Sequence, residues 1–195
     1  MSRTTLRELN GFDATPAVLT GSTLILVDYQ NTYTRGVMEL DGWQDSLDAA
    51  ARLLARAREA GTKVVHVIND GDEGTPYDIR AEIGQIHPAL TPADGETVVV
   101  KQAPDSFHGT DLGEHVPEGQ DVIIAGWMTH MCVAFTAQGA FLRGNRPTVV
   151  ADACATRSLP VAGTDLDARQ VHHGALATIG DLYGVVVASP EEITR

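Results

Sequence analysis

The sequence predicts an α/β fold, a three-layer α/β/α sandwich around a mostly parallel six-stranded sheet with Rossmann-like topology. Six short apolar runs rich in β-branched residues read as strands covered on both faces, and segments with helical spacing separate them. Thr23–Val27 (TLILV) is the first run. In Gln44–Ala60, Leu47, Ala51, Leu54 and Arg58 mark successive helical turns, and Gly61 ends the pattern. Lys63–Ile68 (KVVHVI) is the second strand. Asn69–Pro92 then breaks the rhythm, with Gly71, Gly74, Pro76, Gly84, Pro88 and Pro92 predicting a long loop of the kind that covers sites. Thr97–Val100 and Asp121–Ala125 are the next strands. A helix over His130–Arg143 stops at Gly144, Pro147–Ala151 is the fifth strand, and a helix over Asp165–Leu182 leads to the last, Val185–Ala188. No repeat, low-complexity tract or linker divides the chain, so residues 1–195 are read as one domain.

Fourteen Lys plus Arg against 26 Asp plus Glu give a formal charge of −12, which argues against nucleic acid and anionic membrane surfaces as partners. The N-terminal stretch lacks an apolar h-region, so a cytoplasmic protein is expected. Cys132 and Cys154, the only cysteines, form neither a disulfide framework nor a zinc spacing, and both are expected to be free thiols.

In open parallel sheets, ligands bind beyond the C-terminal strand ends. That rule selects Asp28, Asn69 and Asp70, Lys101, Gly126 to Cys132, and Asp152. A helix N-terminus and a nearby Lys101 ammonium would favour the Cys132 thiolate, and Asp28 can take the thiol proton and later deliver it to a leaving amine. The same spacing also suits a structural Asp28–Lys101 ion pair with Cys132 packed beneath a helix, and position alone leaves the two readings level.

The surrounding residues separate them. LILVDYQNTY at Leu24–Tyr33, VKQAPDSFHGTDL at Val100–Leu112 and IAGWMTHMCV at Ile124–Val133 occur in the order of three motifs of the isochorismatase-like cysteine hydrolases, and the chain resembles that family over roughly Leu24 to Val187. The resemblance implies that Cys132 is the nucleophile, Asp28 the general base and then acid, and Lys101 their electrostatic support. It implies a cis peptide at Trp127-Met128, and an oxyanion hole formed by the backbone N–H groups of Met128 and Cys132. It also implies a homo-oligomer.

Within that family, true isochorismatases usually carry glycine where Cys132 stands, so the thiol favours acyl chemistry: hydrolysis of a C–N, amide-type bond in a small molecule. An isochorismatase-type ether hydrolase and a vestigial or redox-responsive small-molecule binder are the alternatives. Nicotinamidases hold a metal through an Asp-x-His pair and a further histidine; here Asp72 replaces the histidine after Asp70, and His87 lies far along the loop. No metal and no other cofactor is therefore expected. Gln30, Tyr33, Phe107, Trp127 and His130 are candidate substrate-binding residues, with Phe107 and Trp127 as apolar pocket walls. His66 and Cys154 read as core residues, and His108 as a solvated loop position.

Overall fold

A computed structural model describes residues 4–195; Met1–Arg3, part of the stretch inspected above for a leader, lie outside it. A single turn, α1 (Leu6–Leu9), precedes β1 (Thr23–Val27), α2 (Trp43–Glu59), β2 (Lys63–Asn69), β3 (Thr97–Lys101), the short α3 (Leu112–His115) and β4 (Asp121–Trp127). After these come a π-helical segment, Thr129–Val133, that runs into α4 (Ala134–Leu142), then β5 (Arg146–Ala155) and the strands β6 (Leu159–Val161) and β7 (Thr164–Leu166). The chain closes with α5 (Ala168–Thr178), a second π-helical segment and β8 (Val185–Val187).

The strands form a six-stranded sheet in the order β3-β2-β1-β4-β5-β8, with every pairing parallel. Two apolar layers cover it. On one face Leu24 and Leu26 of β1 pack with Leu47, Leu53 and Leu54 of α2. On the other, Ile25 and Val27 pack with Leu112, Val116, Val133, Ala137 and Leu176 from the α3, α4 and α5 side. Because strand side chains alternate, all five residues of β1 are buried, which is why it reads as an unbroken apolar run.

The structure departs from the predicted elements in two places. β5 continues to Ala155, four residues past the predicted end at Ala151, because its register against β4 shifts between Ile124 and Gly126 and so accommodates extra residues. Asp152, selected as a strand-end residue, therefore lies inside the strand and is exposed. The predicted helix over Asp165–Leu182 starts later. Its first residues belong to the β6–β7 hairpin, which turns at Ala162 (φ 47°) and Gly163 (φ 78°), and Asp167 caps α5 in a capping box with Gln170.

Gly126 sets the spacing between β1 and β4. A Cβ there would lie 2.4 Å from the Val27 carbonyl oxygen and 2.7 Å from Val27 Cβ, contacts that force the strands apart. Gly126→Ala is expected to lower unfolding free energy by about 1–3 kcal/mol in urea titration. An unchanged midpoint would show that the two strands have room to separate.

Candidate active site

Three strand ends bring the predicted chemical groups together. Asp28 follows the last residue of β1 with φ 55°, a left-handed conformation that costs a non-glycine residue roughly 1 kcal/mol. Its amide is fixed by a 2.8 Å hydrogen bond to the Val67 carbonyl. On β3, Val98 and Val100 face solvent while Val99 and Lys101 face inward, so strand alternation itself turns the lysine into the protein. β2 separates β3 from β1, and the long lysine side chain reaches past its end. Cys132 comes from the π-helical segment after β4, and the Trp127-Met128 peptide that leads into it is cis, as the resemblance implies.

Lys101 Nζ lies 2.8 Å from Asp28 Oδ2 and 3.3 Å from Cys132 Sγ. Asp28 is 0% exposed and Lys101 1%, while Cys132, at 8%, is the least enclosed residue of the trio. Neither Asp28 oxygen has an aligned hydrogen-bond partner, so charge and close contact hold the carboxylate in place. Ser106 Oγ pairs with Thr136 Oγ1 at 2.7 Å, tying the segment after Lys101 to α4, which follows Cys132. Met131 and Val133 amides both donate to the Met128 carbonyl, at 3.1 and 3.2 Å, which commits those two groups to the turn.

Other predicted site residues separate into two groups. Trp127 is 0% exposed, its Nε1 donates to Ser46 Oγ at 2.7 Å, and its ring packs edge-on against Tyr29 and Tyr33. It packs on the α2 side of the sheet. Gln30 is buried and bonds the main chain. Its Nε2 donates to the Asn69 and Gly84 carbonyls at 2.9 and 2.7 Å, and its Oε1 accepts from the Asn69 amide at 2.9 Å. Every polar atom of this buried side chain is committed to the main chain, and it pins the long loop to the end of β1. Phe107 stays half-buried beneath the Arg143 guanidinium, and His130 is half-buried with Nδ1 2.5 Å from Thr156 Oγ1. Tyr33 is buried, with its hydroxyl donating to Tyr77 at 3.2 Å.

Of the residues read outside the site, His66 lies inside β2 with Nε2 2.8 Å from Glu96 Oε2, Cys154 is buried, and His108 is exposed. Asp70 Oδ1 accepts from the Asp72 amide at 3.1 Å and from Arg80 Nη2 at 3.5 Å, while His87 Nδ1 accepts from Ala89. Sequence reading missed Tyr77 and Arg157. Tyr77 lies in the long loop already expected to cover a site. Arg157 is found by the strand-end rule once β5 is given its true end at Ala155.

The electrostatics of the trio pull in opposite directions. Burial, followed by the adjacent Asp28 carboxylate, pushes the Cys132 thiol up to about 12, and Lys101 offsets this only in part. Burial and the neighbouring carboxylate therefore oppose the thiolate expected from position. Burial raises the Asp28 carboxyl as well, against the opposing pull of Lys101. For Lys101, burial acts downward, but the neighbouring Asp28 carboxylate leads the influences that hold the ammonium above its ordinary value. Replacing Asp28 by Asn removes two of the influences that raise the thiol. Asp28→Asn is expected to speed iodoacetamide labelling of Cys132 at pH 7–8 while turnover falls, as read by peptide mapping against Cys154. Slower or unchanged labelling would show that Asp28 does not control the thiol proton.

Among the described residues, no helix is long and apolar enough to cross a membrane. The chain matches the Isochorismatase domain family over residues 22–189. A solved isochorismatase from Pseudomonas putida KT2440 is 36% identical and superposes with a TM-score of 0.94, covering 98% of this chain and 100% of that one. The isochorismatase family protein YddQ of Bacillus subtilis is 35% identical over 168 residues, 84% of this chain and 93% of its own. Maleamate amidohydrolase of Pseudomonas putida is 29% identical over 210 residues, covering 95% and 88% respectively. With the family matched from β1 to the end of β8 and the whole sandwich reproduced in a solved relative, the chain belongs to the isochorismatase-domain family of hydrolases.

Proposed function

We propose that this protein hydrolyses a C–N, amide-type bond of a small molecule through an acyl-enzyme on Cys132. The observation that carries this reading is the trio itself, a thiol at 3.3 Å from a lysine that is 2.8 Å from a fully buried carboxylate. The relationship to maleamate amidohydrolase supports amide chemistry.

As Cys132 Sγ attacks the carbonyl carbon, Asp28 accepts the thiol proton and the carbonyl oxygen takes the negative charge. The Met128 and Cys132 amides stabilise that oxyanion, an interaction that typically lowers a barrier by about 3–4 kcal/mol per donor. Collapse breaks the C–N bond, and Asp28 delivers its proton to the leaving amine. A water molecule then attacks the thioester, Asp28 accepts its proton, and the expelled thiolate is reprotonated as the acid leaves. Lys101 remains an ammonium throughout, offsetting whichever of its two neighbours is anionic. The reading includes one domain, a homo-oligomeric assembly and no resident cofactor.

Acid-quenched intact-mass measurement during turnover of a panel of small amides tests this. A substrate is expected to leave an acyl mass increment on Cys132, and Cys132→Ala is expected to lose at least ~10³-fold in kcat. Turnover of a vinyl ether that survives Cys132→Ala, with no adduct from any amide, would replace this reading with ether hydrolysis.

A further inference from the structure

β3 is the outermost strand on one side of the sheet. It pairs with β2 in unbroken register from Thr97 to Lys101, and the Lys101 carbonyl accepts from the Asp70 amide, on the β2 side. Backbone groups alternate in direction along a strand, so the N–H and C=O groups of Val98 and Val100 point away from β2, toward the free edge. None of these four groups has a hydrogen-bond partner among the described residues. The side chains at the same two positions are 43% and 45% exposed.

Sheet edges are normally blunted by outward charges, a proline, a bulge or a cover. Residues 97–102 contain no proline and no bulge, and their one charge, Lys101, turns inward to Asp28. Glu96, just before them, is bonded to Arg58 and His66. A neutral strip is thus presented by a chain whose formal charge of −12 makes copies repel one another elsewhere. The opposite edge differs: β8 has only three residues, and none of its side chains is exposed.

The outward groups of β3 are also complementary to themselves. When two β3 strands run antiparallel about a two-fold axis at Val99, Val98 of each copy lies opposite Val100 of the other. Each such pair exchanges two backbone hydrogen bonds, so all four outward groups of both copies are satisfied, and Val99 meets its own counterpart as the non-bonded pair between them. The axis is perpendicular to the sheet, so both Val98–Val100 pairs lie on the α2 face and cover each other there. We propose that β3 is a homodimer interface, through which two copies join edge to edge into one continuous sheet. This locates where copies meet and does not depend on which bond the enzyme cleaves. The strand ends carrying Asp28 and Lys101 then point in opposite directions, so the two trios lie at opposite ends of the joined sheet.

Charge pairs test both the surface and its register. Sedimentation velocity at micromolar concentration is expected to give an even-numbered assembly. Val98→Lys/Val100→Lys sets lysine opposite lysine in both pairs and is expected to halve the assembled mass, raising the dissociation constant at least ~tenfold. Val98→Lys/Val100→Glu loses the same two valines but sets lysine opposite glutamate twice, and is expected to restore the assembly. In the unsubstituted protein, the Val98 and Val100 amides are expected to be protected from hydrogen exchange. A monomer overturns the proposal, including one whose β3 edge takes up an extended peptide of another protein. An assembly that survives Val98→Lys/Val100→Lys overturns it by placing the interface elsewhere. Failure of Val98→Lys/Val100→Glu to reassemble, or fast exchange of both amides in the assembled protein, overturns it as well.

Discussion

A carboxylate and an ammonium buried at the same point of the sheet are the constraint on which the rest of the site depends. Taking either charge out of water alone costs several kcal/mol, so neither Asp28 nor Lys101 is tolerable without the other. They meet because β1 and β3 end at matching heights on either side of β2, because alternation turns Lys101 inward, and because Asp28 adopts a left-handed backbone at the strand end. Gln30 then anchors the covering loop beside them through the Asn69 and Gly84 main chain. Apolar layers on both faces hold these strand ends, so the packing that stabilises the fold also sets the distances in the site.

Adding a thiol to that pair changes what it can do. With Lys101 cationic, one negative charge shared by Asp28 and Cys132 leaves the trio neutral, whereas a second would leave a net buried anion. Burial and Asp28 hold the Cys132 proton in place accordingly. Moving that proton from sulfur to carboxylate leaves the total charge unchanged, so the thiolate can form during attack without any charge entering or leaving the interior. Under the proposed mechanism, nucleophile activation is a proton transfer within a closed unit rather than a standing thiolate stabilised by a helix N-terminus.

Most of this was legible in the sequence because its elements carry strong local signals. TLILV and the helix after Trp43 were placed to within a residue, and the charged residues directly after apolar runs marked the trio. What stayed hidden depended on contacts that no local pattern encodes. Nothing in IAGWMTHMCV says that Trp127 turns toward Ser46 of α2 instead of toward the ligand side. Gln30 follows a motif aspartate, but only the folded loop shows its amide filled by main-chain partners. The β4–β5 register shift lengthened β5 by four residues beyond its apolar run and moved the strand-end position from Asp152 to the neighbourhood of Arg157.

The interdependence of Asp28 and Lys101 is most directly tested by a double-mutant cycle on stability, using urea unfolding of Asp28→Asn, Lys101→Met and the double variant at pH 7. Each single change leaves a buried polar group without its partner and is expected to cost roughly 3–5 kcal/mol. The double variant should then be more stable than the sum of the two losses predicts, by at least about 1 kcal/mol. Losses that add to within about 0.5 kcal/mol would mean that the two side chains are stabilised independently, and the account of the site as one closed charge unit would be wrong.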